Sequence, residues 1–239
     1  MEHVAETQDQ QKFAFHKVAL WLVGVLLLLA LLEPIVYNDI FNRKNRYPES
    51  VREVIYPELK PLQVFSLVDD HNSAFGVDQL KGRWTFVVFG YTHCPDICPA
   101  TLSQLTRLNR FMNEKVKDEL RPQFLFISVD PARDKVKALN EYINYFDNGF
   151  IAATGSMRNL EDFEDQFNVF HRYDKPNSDG SYAVTHSAEI FLVDPKVRIV
   201  AKFTPPISTQ KVTQQYQDLM KYFAMQKKQV KQNDQNINT

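Results

Sequence analysis

Phe89-Gly90-Tyr91-Thr92-His93-Cys94-Pro95-Asp96-Ile97-Cys98-Pro99 is the stretch from which the fold is predicted. It holds the only two cysteines of the 239-residue chain, four positions apart. The preceding residues 83–91 form an apolar, β-branched and aromatic run that is typical of a buried strand. After the stretch, apolar residues recur at helical spacing, at Leu102, Leu105 and Leu108. The cysteines are therefore predicted to lie on a strand-to-helix connection.

Pro99 indicates where the helix starts. Proline has no N–H to donate and disfavours α geometry at the preceding Cys98, so the helix is predicted to begin at or just after Cys98. Both sulfur atoms would then lie near the positive end of a helix dipole, which lowers a thiol pKa and favours the thiolate. A thiolate suits metal binding and redox chemistry alike.

The composition excludes several classes of function. The chain is 44% hydrophobic and 24% charged, with a net charge of -1, so no basic excess indicates nucleic-acid binding. It has 7 glycines, and neither a dinucleotide-binding pattern nor a P-loop pattern occurs. The length suits one domain with appendages.

A transmembrane anchor is predicted over residues 13–37, after an N-terminal tail at 1–12. Its centre is the uncharged apolar run at 18–32, which the flanking apolar residues extend towards the ~20 that cross a bilayer. A cleaved signal peptide is the alternative, but Glu33-Pro34 stand where a small-residue cleavage site is expected. The acidic, arginine-free tail is unlike a mitochondrial presequence. Positive charges flank both ends of the run and leave its orientation open.

The remainder is predicted to form one α/β domain over residues 58–225, an α/β sandwich of alternating strands and helices. A polar linker at 38–57 precedes the domain, and a Gln-, Asn- and Lys-rich tail at 226–239 is predicted to be disordered. The main predicted elements are strands at 61–67 and 124–129, a helix at 135–146, a hairpin of 170–173 with 182–184, a second hairpin of 188–193 with 197–203, and a last helix at 209–225.

The metal that two cysteines can bind depends on the other ligands of the site. Two thiolates are soft ligands for Cu(I), and an imidazole adds a donor that also suits Cu(II). Two cysteines are too few for a closed zinc site of four cysteines, or of three cysteines and one histidine, within one chain. The third ligand must then be one of six histidines. Residue reasoning sets aside those in or before the anchor (His3, His16), in a predicted turn (His71) and beside Cys94 (His93), and leaves His171 and His186.

Two structural alternatives stand beside the metal hypothesis. Cys94 and Cys98 could form a disulfide, since the spacing permits one, although so short a loop would restrict the unfolded chain little. Asp130 ends a buried strand at Ser128-Val129-Asp130-Pro131. It either orients a ligand or meets a partner, or it caps the following turn.

Three separated blocks resemble the Sco/SenC family. They are Gly90 to Pro99 followed by Leu102, then Ser128-Val129-Asp130-Pro131-Ala132-Arg133-Asp134, then Tyr182-Ala183-Val184-Thr185-His186-Ser187. They occur in the family's order, and the resemblance spans roughly residues 58 to 223. The chain departs from the family at Thr185, where an acid often stands.

The resemblance implies a thioredoxin-like sandwich with an inserted β-hairpin. It implies a metallochaperone that binds copper, as Cu(I) and Cu(II), through Cys94, Cys98 and His186. It further implies an exported domain that delivers copper to the dicopper site of cytochrome c oxidase subunit II. With an N-terminal tail unlike a mitochondrial presequence, the chain is therefore predicted to be a bacterial inner-membrane protein whose domain faces the periplasm. Other periplasmic copper carriers or thiol reductants are further expected partners.

The second hypothesis is an enzyme. In a thiol-disulfide oxidoreductase, Cys94 would attack and Cys98 would resolve, which would keep the acceptor's cysteines reduced. His186 distinguishes the two functions, because metal binding needs it and dithiol exchange does not. Peroxidase chemistry like that of peroxiredoxins fits poorly, because Tyr91 stands three residues before Cys94, where that family has Thr or Ser.

Overall fold

The computed structural model describes residues 47–237, together with residues 21, 22, 24–26, 30 and 31, which are helical. The chain divides into a unit that ends at Glu49 and a unit that begins at Ser50. Within the described residues, no helix is both long enough and apolar enough to span a bilayer. The predicted tail at 1–12 and most of the predicted anchor at 13–37 lie outside the described residues, so both stay predictions.

The second unit carries the helices and strands that surround the cysteines. Its described strands are β1 (Ile55–Pro61), β2 (Leu67–Asp69), β3 (Ala74–Phe75), β4 (Thr85–Gly90), β5 (Gln123–Ser128), β6 (Ile151–Thr154), β7 (His171–Tyr173), β8 (Val184–His186), β9 (Ile190–Val193) and β10 (Arg198–Phe203). Its described α-helices are α1 (Val77–Leu80), α2 (Ile97–Lys115), α3 (Val136–Phe146), α4 (Met157–Phe167) and α5 (Thr209–Ile237).

Eight of these strands form one sheet in the order β1-β10-β9-β4-β5-β6-β2-β3. The central strands β4, β5 and β6 are parallel, and the other neighbours pair antiparallel. The parallel register places Gly90 directly beside Ser128. The carboxyl ends of β4 and β5, with the loops that follow them, therefore meet at one edge of the sheet.

Helices cover both faces of this sheet. Successive side chains of a strand point to opposite faces, and β4 shows this alternation with two phenylalanines. Phe86 packs on Tyr216 of α5, with ring centroids 5.8 Å apart, while Phe89 packs on Phe167 of α4 at 5.3 Å. On the face of Phe86, Phe126 of β5 also packs against Tyr142 of α3. The predicted α/β sandwich is confirmed.

The first strand differs from the prediction. The expected strand at 61–67 covers mainly a connection, since β1 ends at Pro61 and β2 starts at Leu67. β1 instead begins at Ile55, inside the predicted linker at 38–57, and Val51 is already fully buried. The strand was missed because it lies at an edge of the sheet and pairs only with β10. An edge strand tolerates the polar and proline residues that make this segment look like a linker.

The end of the chain also differs from the prediction. α5 continues through Ile237, so the tail predicted to be disordered at 226–239 is helical over its described part. The segment has no glycine or proline, and it is rich in Gln and Lys, which propagate a helix well. Polarity alone therefore suggested disorder where helix propensity prevails.

The predicted hairpin at 170–173 and 182–184 is confirmed, with its second strand extended to His186. β7 and β8 pair antiparallel and form a separate two-stranded sheet. The strand pair lies outside the ladder of the main sheet. It is joined to the domain by short chain links to α4 and β9, and side chains add further contacts.

Candidate metal centre

The two cysteines lie at the junction of β4 and α2. Cys94 is in the connection, and Cys98 is in the first turn of the helix, which begins at Ile97. The first N–H groups of a helix have no partner inside it. One of them, the N–H of Cys98, donates to Sγ of Cys94 with an N-to-S distance of 3.4 Å. Both cysteines are free thiols and buried, 8% and 3% exposed respectively.

His186 reaches the same place from the hairpin. Its Nε2 lies 3.3 Å from Sγ of Cys98. Its Nδ1 lies 2.9 Å from the carbonyl oxygen of Ser187. A carbonyl can only accept, so in the neutral ring Nδ1 carries the proton and the lone pair of Nε2 faces the sulfur. The imidazole is thus held in the tautomer that can bind a metal.

The three side chains form a compact donor set. One ligand atom from each of Cys94, Cys98 and His186 lies within 4.8 Å of the others. Metal–thiolate and metal–imidazole bonds are about 2.3 and 2.0 Å long for zinc. Two ligands on opposite sides of one such ion are thus at most about 4.6 Å apart. Small adjustments would bring all three atoms onto one ion.

The dithiol is strongly asymmetric. A hydrogen bond from the thiol of Cys98 is the main reason that the pKa of Cys94 is lowered to about 4, and the Cys98 N–H adds to this effect against the opposing effect of burial. The same hydrogen bond, together with burial, raises the pKa of Cys98 above its ordinary value. At neutral pH the pair therefore holds one thiolate and one thiol.

Gly90 provides the space for Cys98. A Cβ at this position would lie 2.7 Å from Sγ of Cys98 and 2.8 Å from Cε2 of Phe126. Both distances are far inside van der Waals contact. The glycine is needed at the end of β4 for the close approach of the thiol, and sequence reasoning did not single it out.

Asp134 holds the connection in front of Cys94. Its buried carboxylate accepts the N–H of Thr92 at 2.9 Å, the hydroxyl of Thr92 at 2.6 Å and the hydroxyl of Ser128 at 2.5 Å. It thereby joins the loop after β5 to the loop after β4. The residue belongs to a block that carries the family resemblance, but its role depends on contacts across 42 positions that periodicity does not report.

Asp130 does not contact the cysteines or His186 through any of its described hydrogen bonds. Its buried carboxylate accepts from Nε of Arg133 and from the hydroxyl of Tyr182, the latter at 3.0 Å. Arg133 in turn donates to the carbonyl oxygen of Tyr182 at 3.0 Å and lies over its ring. Asp130 therefore acts on the connection that leads into β8, and any influence on a ligand is indirect.

The other described histidines have different partners. The side chain of His71 is 73% exposed and lies 3.4 Å from Asp70. His93 is 55% exposed and lies beside Thr92 and Asp134. His171 is buried with its Nδ1 2.7 Å from Glu164, and this hydrogen bond raises the pKa of His171 above its ordinary value. His3 and His16 lie outside the described residues.

Tyr91 ends the run predicted to be a buried strand, and it has a role beyond packing in the core. It is 2% exposed, and its ring lies edge-on to the imidazole of His186 with centroids 5.8 Å apart. Its hydroxyl accepts the N–H of Val184 at 3.2 Å. The side chain is therefore both core and a wall of the candidate site.

The SCO1/SenC family model matches residues 58–221, so the chain belongs to this family. The chain is 34% identical to the SCO2-like protein RP587 of Rickettsia prowazekii over 155 residues, which cover 64% of this chain and 74% of that protein. Among solved structures, it resembles Arabidopsis thaliana ScoI with copper bound, at 30% identity and a TM-score of 0.62, over 67% of this chain and 98% of that one. Bradyrhizobium japonicum ScoI with copper bound is 31% identical, with a TM-score of 0.59, over 68% and 99%. The expected thioredoxin-like fold is confirmed by these likenesses.

The close approach at Gly90 yields a first prediction. Replacing Gly90 by alanine should displace both Sγ of Cys98 and the ring of Phe126, because the new Cβ needs their space. The expected cost is about 1–3 kcal/mol in the free energy of unfolding. Chemical denaturation and copper titration of the variant would measure both effects. Gly149→Ala is the control, because its new Cβ would meet only the flexible carboxylate of Asp147, at 3.3 Å. Equal behaviour of the two variants would show that the space beside Cys98 is not tight.

A second prediction concerns the thiolate of Cys94. In Cys98→Ala the thiol donor is lost, so the pKa of Cys94 should rise from about 4 towards the ordinary thiol range. As pH is lowered, the variant should then lose its thiolate at a higher pH than the wild type does. The pH dependence of alkylation of the copper-free, reduced protein measures this. Ser103→Ala, further along α2, is the control, and an unchanged profile in Cys98→Ala would exclude Cys98 as the stabilising group.

Proposed function

We propose that this protein is a membrane-anchored periplasmic copper chaperone. It binds copper through Cys94, Cys98 and His186 and delivers it to the dicopper site of cytochrome c oxidase subunit II. The observation that carries the proposal is the donor set itself, two thiol sulfurs and one imidazole nitrogen within 4.8 Å of one another. Two family members that share the fold, at 30% and 31% identity, have been solved with copper bound.

The chemistry of the donor set favours copper. Two soft thiolates suit Cu(I), and the imidazole nitrogen allows the same site to accept Cu(II). Copper arriving at the site finds one thiolate already present on Cys94 and displaces one proton, that of Cys98. The lowered pKa of Cys94 thus prepares the first metal–sulfur bond.

A site with three protein ligands also suits release. An incoming thiolate of the acceptor can add to the copper before any resident ligand leaves, so the metal is never left without donors. Each resident thiolate that departs can take up a proton, and no electron is transferred. Pro95, Asp96 and Ile97 are exposed beside the cysteines, so an acceptor can approach from that side.

The location and the partner rest on the predicted anchor and on the family. The Sco family is associated with cytochrome c oxidase assembly. Subunit II of the oxidase is the acceptor that we propose, and other periplasmic copper carriers would supply the metal. The apolar run at 18–32 would tie the domain to the inner membrane.

The asymmetry of the dithiol favours one second function. As a thiol-disulfide oxidoreductase, the thiolate of Cys94 would attack a disulfide of the acceptor and release one acceptor thiolate. Cys98 would then attack Cys94, which leaves a Cys94–Cys98 disulfide and the acceptor with two thiols. Two electrons pass to the acceptor in this exchange. The same dithiol, once reduced by a thiol reductant, could afterwards carry copper.

Copper titration of the purified full-length protein tests the main proposal. The wild type should bind one Cu(I) per chain under reducing anaerobic conditions. In a separate titration it should bind one Cu(II) per chain. His186→Ala should lose the Cu(II) spectrum and bind Cu(II) at least about tenfold more weakly, the lower limit seen when even an outer partner of a metal ligand is removed. His71→Ala removes an exposed histidine and should change neither form. If His186→Ala behaves like His71→Ala, the metal assignment is wrong.

An assay with the copper-binding domain of an oxidase subunit II distinguishes the chaperone from the oxidoreductase. Wild-type protein loaded with Cu(I) should transfer its copper to the reduced acceptor, and Cys94→Ala should not. With an oxidised acceptor and no copper, thiol formation measures the oxidoreductase. His186→Ala should retain that reduction and lose copper transfer from Cu(II). Reduction without any copper transfer by the wild type would favour the enzyme over the chaperone.

A further inference from the structure

The strand pair β7–β8 carries His186 but belongs to its own two-stranded sheet. Hydrogen bonds made by aromatic and imidazole side chains attach the strand pair, and the loop between its two strands, to the rest of the domain. In the described part of the chain these run from the N–H of Val184 to Tyr91 (3.2 Å), from Tyr173 to the carbonyl oxygen of Val129 (2.6 Å), from Tyr182 to Asp130 (3.0 Å) and between His171 and Glu164 (2.7 Å). The position of His186 therefore depends on these side-chain contacts together with the short chain link to β9.

The contact between His171 and Glu164 is the most deeply buried of these. The side chains of His171 and Glu164 are only 7% and 3% exposed. Oε2 of Glu164 contacts Nδ1 of His171, while Oε1 is buried without a partner. The imidazole is thus the one described polar partner of this carboxylate. Leaving such a group unpaired is costly, so the contact resists separation.

Glu164 is held firmly on the domain side. It lies on α4 beside Phe163 and within one turn of Phe167, and the two rings pack together with centroids 5.0 Å apart. Phe167 also packs on Phe89 of β4. The carboxylate is therefore presented by a helix that is fixed in the core, on the face of the sheet opposite to α5.

The register of the hairpin passes this constraint to His186. His171 and His186 are directly opposite each other in the β7–β8 ladder. Residues that face each other across an antiparallel pair project to the same side, with Cβ atoms about 4.5–5.5 Å apart. Their neighbours Arg172 and Thr185 project the other way and are exposed. Fixing His171 against α4 thus fixes the backbone from which His186 reaches Cys98.

We propose that Glu164 and His171 are positioning residues of the copper site, which clamp β7 to α4 and so set the distance between Nε2 of His186 and Sγ of Cys98. The inference rests on the proposed function, in which His186 is a copper ligand. His171 itself is not in the donor set, because among the described residues only Cys94, Cys98 and His186 bring their ligand atoms together. Losing the clamp should weaken the bond to His186 while the dithiol keeps its own affinity for Cu(I).

The experiment compares Glu164→Ala with Glu164→Gln in the full-length protein. The alanine variant should bind Cu(II) about tenfold more weakly, as for other groups that orient a metal ligand. Its Cu(II) absorption and electron paramagnetic resonance spectra should shift towards those of His186→Ala. The glutamine variant keeps an oxygen that accepts the N–H of His171, so it should restore a spectrum close to that of the wild type. Equal spectra for the two variants would overturn the proposal.

Asp194→Asn is the control for a loss of stability alone. Asp194 is 2% exposed and pairs with Arg198 in the turn between β9 and β10. The turn lies at the opposite end of β4 from the cysteines, since Val193 pairs with Thr85. The control should lower the melting temperature and leave the Cu(II) spectrum unchanged. A Cu(II) spectrum altered to the same degree in Asp194→Asn and Glu164→Ala would overturn the clamp.

A double-mutant cycle tests the route through His186. In a His186→Ala background, Glu164→Ala should cause no further loss of Cu(II) affinity, because the two substitutions remove the same bond. The same tenfold loss in both backgrounds would contradict the proposal. If His186→Ala alone changed nothing, the proposed function would fail. Hydrogen exchange of the copper-free protein then still tests the clamp: Glu164→Ala should speed exchange of the hairpin amides of residues 171–173 and 184–186, and unchanged rates there would overturn it.

Discussion

The start of α2 donates a backbone hydrogen bond to the sulfur of Cys94, and the rest of the site depends on this interaction. The N–H of Cys98 is the donor, and the side chain of Cys98 has the largest effect in lowering the pKa of Cys94. A helix begins with unpaired N–H groups and a positive dipole end. By placing one cysteine in front of the helix and the other in its first turn, the chain uses these groups to hold one thiolate and one thiol. A deprotonated ligand is thus ready before the metal arrives.

The sheet and its loops serve to keep this arrangement in place. Because β4 and β5 run parallel and in register, the loops that follow them lie side by side, and Asp134 can join Thr92 to Ser128 across them. Gly90 has no side chain, so the thiol of Cys98 can pack against the backbone at the end of β4. The sulfur atoms therefore lie at the end of the buried central strands of the sheet.

The third donor is attached in another way. His186 lies on a strand pair outside the main sheet, which side chains such as Tyr91 and His171 fasten to the domain. The site therefore combines two buried sulfur donors at the junction of β4 and α2 with one nitrogen donor that a separate strand pair presents.

The sequence by itself determined the features that depend on neighbours along the chain. Local periodicity and Pro99 predict the strand before the cysteines and the helix after them. Two apolar segments around a polar turn predict the hairpin. The edge strand β1 was not predicted, because its polar residues are tolerated only through pairing with β10, a partner distant in the chain. The polar end of α5 was predicted to be disordered because its composition was given more weight than its helix propensity, which is a local property.

Tertiary structure shows the physical difference between His171 and His186. Residue reasoning left both open, and only the family resemblance favoured His186. In the structure the two are opposite each other on one face of the same strand pair, so neither periodicity nor burial could separate them. What differs is the side chain that each one meets, a carboxylate of α4 for His171 and the thiol of Cys98 for His186. Such contacts depend on how α2 and α4 pack around the sheet, and no local pattern in the sequence encodes that packing.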